Sequence, residues 1–313
     1  MDALAPLWNE LLRTQEHSLF QRFSWNRLAA QMFSGRLTPF VVSVESETGA
    51  AIIPAAINHK ARQLELLGEV LFDYRDVLQS GDPEALRMAW KKLSAHEKPI
   101  HVSFVSCQAA AETRWGDFSL SVFARAPQVE PTATNEESFR LAHSRLGRQM
   151  RRLHRQGVVL HVWNGSNSGV LRRLYECKRT HFTADENDNV FLDERRCEFM
   201  VAAAALQPDL CDVYTLERGG SLVAGLVTFR DGLIRRFYTI YFNPDWARYS
   251  PGQALLYEIT ARSLAENLSC DYMTGEYPYK LRLANGSRPL FRLDATAEQL
   301  KQIAPRTPDS HAA

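Results

Sequence analysis

DVYTLERGGSLVAGLVTFRDGLIRRFYTIYF, residues 212–242, contains three apolar runs that two short polar turns separate. The turns read RGG at 218–220 and RDG at 230–232, and glycine next to a polar residue is a strong signal for a tight β-hairpin. The runs themselves are rich in β-branched and aromatic residues, which favour strands. The stretch therefore predicts a three-stranded antiparallel meander at the centre of a sheet.

The next segment, ARYSPGQALL at residues 247–256, predicts a helix with an abrupt start. Ser250 is placed to be the N-cap, Pro251 suits the first helical position, and Gln253 completes a capping box. Gly252 is unexpected there, because glycine costs about 1 kcal/mol relative to alanine within a helix. Two interpretations stay open: Gly252 leaves the first-turn amides open to an anion, or it lets a neighbouring segment pack closely.

Helical and strand-like segments alternate along the rest of the chain, which is typical of α/β or α+β packing around a mixed sheet. Helices are predicted at residues 5–13, 24–33, 83–94, 136–156, 168–182 and 193–206, and further strands at 39–45, 50–57, 100–105, 118–125, 158–163 and 270–274. The segment APQVEPTATNEESF, residues 126–139, combines prolines with small polar residues and predicts a linker. We expect a boundary near residue 130, between a first half at 1–130 and a second half at 131–313.

Composition limits the classes of partner and compartment. A net charge of +1 over 313 residues gives no overall attraction to nucleic acid or to an anionic membrane. The five cysteines are scattered, with no CxxC pair and no Cys/His metal spacing, so we expect reduced thiols and no metal. The start MDALAPLWNELL does not resemble a signal peptide, and no stretch approaches the roughly 20 apolar residues of a membrane span. These features predict a soluble cytoplasmic protein.

The predicted helix at 136–156 is strongly basic on one face. Its apolar stripe contains Leu146, Met150 and Leu153, whereas no acidic residue occurs between Phe139 and Gly157. The basic residues are Arg145, Arg148, Arg151, Arg152 and Arg155. The pattern fits either a solvated arm that covers the join between the halves or a surface that contacts phosphate or an RNA backbone.

Three segments in order resemble a known family: GSLVAGLVTFRDGLIRRFYTIYF, ARYSPGQALL and CDYMTGEYPYKLRL. They are similar to the GNAT acyltransferase fold, and more specifically to the bacterial acetyltransferase-like family associated with cellulose and exopolysaccharide biosynthesis. That family is related to the Fem peptidyltransferases. LELLGEVLFDYRDVL in the first half resembles another motif of the family. The resemblance implies two GNAT-like halves in tandem, with the acyl donor bound by the second half.

The resemblance also implies where the donor binds. In GNAT proteins the pyrophosphate of coenzyme A contacts backbone amides between the fourth strand and the next helix. The donor-binding residues expected from this are Arg248, Tyr249, Ser250, Gly252, Gln253 and Ala254, with Tyr241 on the preceding strand. Tyr249 stands where the family usually has Gln or Arg, so several donors stay open. They are acetyl-CoA or another acyl-CoA, an acyl-carrier protein, and a charged tRNA.

We expect the chemistry in CDYMTGEYPYKLRLANG, residues 270–286. Acyl transfer needs a base for the nucleophile, a stabilised oxyanion and a proton for the leaving thiolate. Glu276 or Asp271 is the expected base, Tyr279 the acid, and Lys280 an anion or substrate contact. The family has a similar Gly-Glu-x-x-Tyr-Lys arrangement. The alternative is a structural role, with Asp271 and Lys280 as an ion pair and Tyr279 packed by its ring.

The segment FDYRD, residues 72–76, follows an apolar run at a predicted strand end. Asp73, Tyr74 and Arg75 are therefore expected to line an acceptor groove between the halves, although an ordinary surface turn with a local ion pair fits the pattern equally well.

Together these features predict an acyl-CoA-dependent N- or O-acyltransferase. The expected acceptor is a sugar, amino sugar or small amine of bacterial envelope or exopolysaccharide metabolism. One alternative is tRNA-dependent aminoacyl transfer of the Fem type, and another is a catalytically silent regulatory or scaffold subunit.

Overall fold

The computed structural model describes residues 1–15, 17–68, 71–106, 115, 118–181 and 193–303. The chain forms two compact units. The first contains Met1–Ala124 together with the chain from Pro289 onward, and the second contains Arg125–Arg288. A functional division near residue 130 stays a prediction.

The first unit is a sheet with helices on both faces. Its strands are β1 (Leu37–Glu45), β2 (Gly49–Asn58), β3 (Gln63–Leu66), β4 (Leu78–Gly81), β5 (Ile100–Val105) and the end of β12 (Gly286–Ala295), and its helices are α1 (Ala5–Thr14), α2 (Phe23–Met32), α3 (Glu84–Ser94) and α10 (Ala297–Gln302). The strand order is β1-β2-β3-β5-β12, and β4 pairs with β2. Strands β3 and β5 are parallel, and the other pairs are antiparallel.

Strand β2 shows why this sheet is apolar on both faces. Ile53 packs into a cluster that includes Trp90 of α3, whereas its neighbour Ile52 packs with Trp8 of α1. Successive residues of a strand point to opposite faces, so a strand with helices on each face is apolar at consecutive positions. This explains the continuous apolar run that the sequence shows at 50–57.

The second unit contains parallel and antiparallel strands between two layers of helices. Its strands are the end of β6 (Leu120–Val129), β7 (Val159–Asn164), β8 (Cys211–Arg218), β9 (Ser221–Asp231), β10 (Ile234–Phe242) and β11 (Ser269–Asp271), and its helices are α4 (Glu136–Ala142), α5 (Ser144–Arg155), α6 (Ser168–His181), α7 (Glu194–Leu206), α8 (Pro251–Ala265) and α9 (Pro278–Leu281). The strand order is β6-β11-β10-β9-β8-β7. Helices α4, α5 and α8 share one apolar cluster on the sheet.

The predicted mixed α/β fold is confirmed, because each unit contains parallel and antiparallel strand pairs. The two predicted hairpins are confirmed as β8-β9 and β9-β10. Two local predictions are wrong. Residues 126–129 of the expected linker belong to β6, and the single helix expected at 136–156 is divided into α4 and α5 at His143, whose ring packs on Phe139.

Candidate functional site

Strand β10 diverges from its parallel neighbour at the centre of the second unit. It pairs with β9 along most of its length, with a register shift between Phe237 and Thr239. Its pairing with β11 covers only three residues, from Ile234 opposite Ser269 to Arg236 opposite Asp271. Beyond those pairs β10 continues to Phe242, whereas the other strand has ended. The divergence opens the sheet next to the second half of β10.

Helix α8 begins immediately after this open part of the sheet. A 3₁₀ helix at Pro244–Tyr249 precedes it, and Ser250 joins the two in the left-handed conformation, with φ 49° and ψ 51°. The predicted capping box is wrong, because an N-cap needs extended backbone angles and the Ser250 side chain caps nothing. Ser250 instead ends the 3₁₀ helix, where its N–H donates to the Ala247 carbonyl.

The first turn of α8 presents two open amides. The first backbone bond of the helix runs from the Ala254 N–H to the Ser250 carbonyl at 3.0 Å, so the Ala254 amide is already used. In the part of the chain that the structure describes, no hydrogen bond uses the N–H of Gly252 or of Gln253. Together with the helix dipole, these amides favour an anion at this position.

Close packing does not explain Gly252. A Cβ atom built on this residue would lie 3.5 Å from Cβ and Cδ1 of Phe242 and 3.7 Å from Cδ1 of Ile240, which are ordinary contact distances. Alanine would therefore fit without displacing its neighbours. Of the two interpretations of Gly252, the one that needs close approach of another segment has no support in the packing.

Tyr241 lies on the other face of β10 from Gly252. Ile240 and Phe242 face helix α8, whereas the Tyr241 hydroxyl hydrogen-bonds the Cys177 thiol on α6. Burial, followed by the neighbouring Cys177 and Asp245, raises the pKa of Tyr241. The residues expected to bind the donor thus lie on both sides of the sheet.

Arg248 and Tyr249 belong to a row in which two neighbouring rings lie between two cations. The Arg248 guanidinium lies 4.7 Å from the Tyr249 ring centre, and the Tyr249 ring lies 5.6 Å from that of Trp246. Arg218, at the end of β8, completes the row 5.7 Å from Trp246. No local pattern in the sequence points to Arg218 or Trp246, because a hairpin and a later 3₁₀ helix bring them together only in the fold.

Asp271 is committed to a buried ion pair. Its Oδ2 accepts from Nη1 of Arg236 at 2.7 Å, and its Oδ1 accepts from the Met273 N–H at 2.8 Å. Nε of Arg236 also donates to Asp231 at 2.7 Å. The Arg236 and Asp271 side chains are only 3% and 1% exposed. The partner of Asp271 is therefore Arg236 and not Lys280, and Asp271 is poorly placed to take a proton from a substrate.

The loop after Asp271 turns through two left-handed residues, Met273 with φ 61° and Gly275 with φ 100°. A non-glycine residue in this region stores strain, which is often found near functional sites. Glu276 follows and is exposed. The rings of Tyr277 and Tyr279 stack with centres 5.9 Å apart.

Two groups in this loop, Tyr279 and Lys280, have well-defined surroundings. Burial, with a smaller contribution from Tyr277, raises the pKa of Tyr279 to about 12, so its hydroxyl keeps its proton at neutral pH. Nζ of Lys280 donates to the Thr274 carbonyl at 2.7 Å and lies 5.5 Å from the centre of the Tyr277 ring. Lys280 therefore ties the end of the loop back to Thr274 and holds the loop closed.

Asp73, Tyr74 and Arg75 lie in the first unit. The Tyr74 ring packs against Phe20, and Arg75 donates to the Ser103 carbonyl at 2.7 Å. Tyr74 and Arg75 are 1% and 2% exposed, and Asp73 is partly exposed. Their expected role in acceptor binding stays a prediction.

Two further properties concern only the part of the chain that the structure describes. No group of three or more His, Cys, Asp or Glu side chains is placed to hold a metal ion. No helix is long and apolar enough to cross a membrane. Cys107 lies outside the described residues.

Residues 140–281 match the family model described as acetyltransferase (GNAT) domain. This part of the chain is similar to the GNAT acetyltransferase domain, and it contains β10, the start of α8 and the loop after Asp271. The similarity supports a transferase. No curated protein sequence matches the chain.

Three solved structures share the fold over nearly the whole chain. The C-terminal domain (DUF2156) of a proposed lysylphosphatidylglycerol synthetase from Agrobacterium fabrum is 13% identical with a TM-score of 0.61, and 96% of this chain and 93% of that chain are covered. FemX is 8% identical with a TM-score of 0.59, covering 96% and 98%. A protein of unknown function from Bacteroides thetaiotaomicron is 11% identical with a TM-score of 0.62, covering 95% and 98%. The predicted GNAT-like mixed α/β fold is confirmed by these likenesses together with the family match.

The two candidate bases should differ in their effect on stability. We expect Asp271→Asn to lower the free energy of unfolding by about 3 kcal/mol, because it leaves the buried Arg236 without one of its carboxylates. Glu276→Gln changes an exposed side chain and should alter it by less than about 0.5 kcal/mol. Urea denaturation of both variants measures the difference. Equal, small effects would mean that Asp271 is not needed for the fold and is available for chemistry.

Proposed function

We propose that the protein is an acyl-CoA-dependent acyltransferase that modifies an amine or a hydroxyl group. The observation that carries the proposal is the pair of open amides at Gly252 and Gln253, beside the point where β10 and β11 diverge. A pyrophosphate needs backbone donors and a positive potential, and the start of α8 provides both. Arg248, three residues before Pro251, adds a cation. When bound, the donor supplies an acyl group activated as a thioester.

The diverging strands provide room for the extended arm of such a donor. Pantetheine contains two amide groups, and an extended amide chain can lie along a strand edge as another strand does. Phe237 and Ile240 line the face of β10 towards α8 and give that space an apolar wall. The acyl carbon would then lie near the end of β11, close to the loop that contains Glu276.

We assign proton removal to Glu276. The acceptor nitrogen or oxygen attacks the thioester carbonyl carbon, and its proton passes to the Glu276 carboxylate, directly or through one water. Glu276 is exposed, so an acceptor can reach it, whereas Asp271 is held by Arg236. The C–S bond then breaks, and the departing thiolate takes the Tyr279 proton. The raised pKa of Tyr279 means that its hydroxyl is protonated at neutral pH, as a general acid must be, and the tyrosinate left after donation is reprotonated from solvent.

The proposed acceptor is a sugar, an amino sugar or a small amine of envelope or exopolysaccharide metabolism. The support is the resemblance of the 220–242, 247–256 and 270–283 segments to the family with that association. Lys280, fixed by the Thr274 carbonyl, is proposed to contact an anionic part of the acceptor or to stabilise the oxyanion.

A second candidate is aminoacyl transfer from charged tRNA, and the surface of α5 favours it. Arg145, Arg148, Arg151, Arg152 and Arg155 are all exposed, and none has a carboxylate partner among the described residues. They occupy about 15 Å of helix at a rise of about 1.5 Å per residue. Helix α5 contacts both α8 and the 3₁₀ helix at Pro244–Tyr249. A polyanion bound there would lie beside the open amides.

Gly252→Ala separates donor binding from packing. The added methyl group meets only ordinary contacts, and alanine favours a helix, so the melting temperature should stay the same or rise. The methyl group would obstruct a phosphate at the first-turn amides, and we expect the dissociation constant for acetyl-CoA to rise at least about tenfold, a loss of about 1.4 kcal/mol. Calorimetric titration and thermal denaturation of the same samples measure both. Unchanged affinity would place the donor elsewhere.

Glu276→Gln and Tyr279→Phe test the proton transfers. Each should lower kcat by on the order of 100-fold, since each removes one general acid or base, with little change in donor affinity. Turnover with an identified acceptor measures kcat, and calorimetric titration with acetyl-CoA alone measures donor affinity. The exposed Glu137 on α4 provides a control, and Glu137→Gln should leave kcat unchanged. Near-normal kcat in both site variants would assign this loop a structural role.

Arg148→Gln/Arg152→Gln distinguishes the two candidate donors. If charged tRNA is the donor, the double variant should lower activity and reduce its dependence on salt, because phosphate contacts release counterions. If acyl-CoA is the donor, activity should stay within about twofold. The matched control is Arg13→Gln/Arg36→Gln, which removes the same charge from exposed positions of the first unit. An equal loss in both double variants would indicate a general effect of net charge.

A further inference from the structure

Arg218, Trp246, Tyr249 and Arg248 form a cation–aromatic ladder, in which each member contacts the next. The ladder is a surface feature. Both arginines are exposed and both rings are partly exposed, and neither arginine has a carboxylate partner in the described part of the chain. Two cations without counter-charge, one at each end of a pair of aromatic rings, are suited to a ligand that is both planar and anionic.

The ladder is held rigidly at its centre. Asn243 fixes the start of the 3₁₀ helix, since its N–H donates to the Val223 carbonyl at 2.9 Å and its side chain accepts from the Asp245 N–H at 3.0 Å. The inner edges of Trp246 and Tyr249 pack on the core of the unit. The rings are thus positioned before any ligand arrives, which lowers the entropic cost of stacking on them.

Two members of the ladder directly precede the proposed phosphate site in the sequence. Arg248 and Tyr249 directly precede Ser250, and the open amides of Gly252 and Gln253 follow. A group linked to a phosphate at those amides by a short chain would reach the rings. A purine that enters between a ring and its guanidinium keeps both partners stacked, because arginine stacks on bases as it does on aromatic rings.

We propose that the ladder binds the adenosine end of coenzyme A, with the base stacked on Trp246 or Tyr249 and the ribose phosphate paired with Arg218 or Arg248. This proposal rests on the proposed function, which supplies the position of the pyrophosphate. It adds the residues that select a donor with a nucleotide over a shorter thioester. Terminal adenosine of a tRNA offers similar chemistry, but it has no pyrophosphate for the amides of α8.

The test uses the whole protein and three probes: acetyl-CoA, S-acetyl-4′-phosphopantetheine, which has no nucleotide, and adenosine 3′,5′-bisphosphate, which has no thioester. Trp246→Leu and Arg218→Gln/Arg248→Gln should each weaken binding of acetyl-CoA and of the bisphosphate about tenfold, the usual effect of losing one base stack or charge contact. Binding of the phosphopantetheine thioester should change less than twofold. Arg13→Gln/Arg36→Gln is the charge control and should change none of the three.

The outcomes separate this proposal from the proposed function. Equal weakening of both thioesters, or none, would overturn the ladder as a nucleotide site while acyl transfer stands. Bisphosphate binding that depends on the ladder, in a protein that transfers no acyl group, would support the ladder and contradict acyl transfer. Ladder-dependent binding of tRNA ending in adenosine, without bisphosphate binding, would overturn coenzyme A as the ligand. Trp246→Leu also removes a ring that packs on the core, so it can weaken binding by destabilising the protein. Arg218→Gln/Arg248→Gln is the control for that effect, because it changes only exposed side chains and leaves the core intact.

Discussion

The candidate site depends on one buried cation. Arg236 is almost fully removed from water, and a guanidinium in that position is tolerated only when carboxylates neutralise it. Asp231 at the end of β9 and Asp271 at the end of β11 provide them. The three residues connect β9, β10 and β11 at one level of the sheet. Because Asp271 is held there and β11 ends with it, the chain must leave the sheet at this point while β10 continues.

That constraint determines what lies on each side of the divergence. On one side, Met273 and Gly275 take left-handed conformations immediately after the ion pair, and the turn directs Glu276 to solvent. On the other side, β10 reaches Phe242 and the 3₁₀ helix, whose left-handed end at Ser250 starts α8 with open amides. The proposed acid–base groups and the proposed anion site thus follow the two strands that diverge here, one after β11 and the other after β10. The strain at Met273 and Ser250 is offset by the apolar packing of α8 on the sheet.

The sequence predicted the parts of this arrangement that local patterns specify. Both hairpins follow from their glycine turns, and α8 follows from Pro251 and the apolar run after it. Ser250 was misassigned because capping-box residues were present, whereas the backbone conformation of the preceding turn decides whether a side chain can cap. The partner of Asp271 could have been suspected from Arg235 and Arg236, two adjacent charges within an apolar strand that has helices on both faces, so that both arginines are buried and each needs carboxylates. The cation–aromatic ladder could not have been suspected from the sequence, since its members come together only in the folded protein. The roles of Glu276, Tyr279 and Lys280 stay predictions.

The amide signals of Gly252 and Gln253 provide the most direct test of the central claim, that the first turn of α8 binds the donor phosphates. In ¹⁵N-labelled protein titrated with coenzyme A, these two signals should show the largest shifts of α8 and saturate together with binding measured by calorimetry. The Ala254 amide, already bonded to Ser250, should shift less. Saturating coenzyme A that leaves both signals in place, while others in the second unit move, would contradict the account.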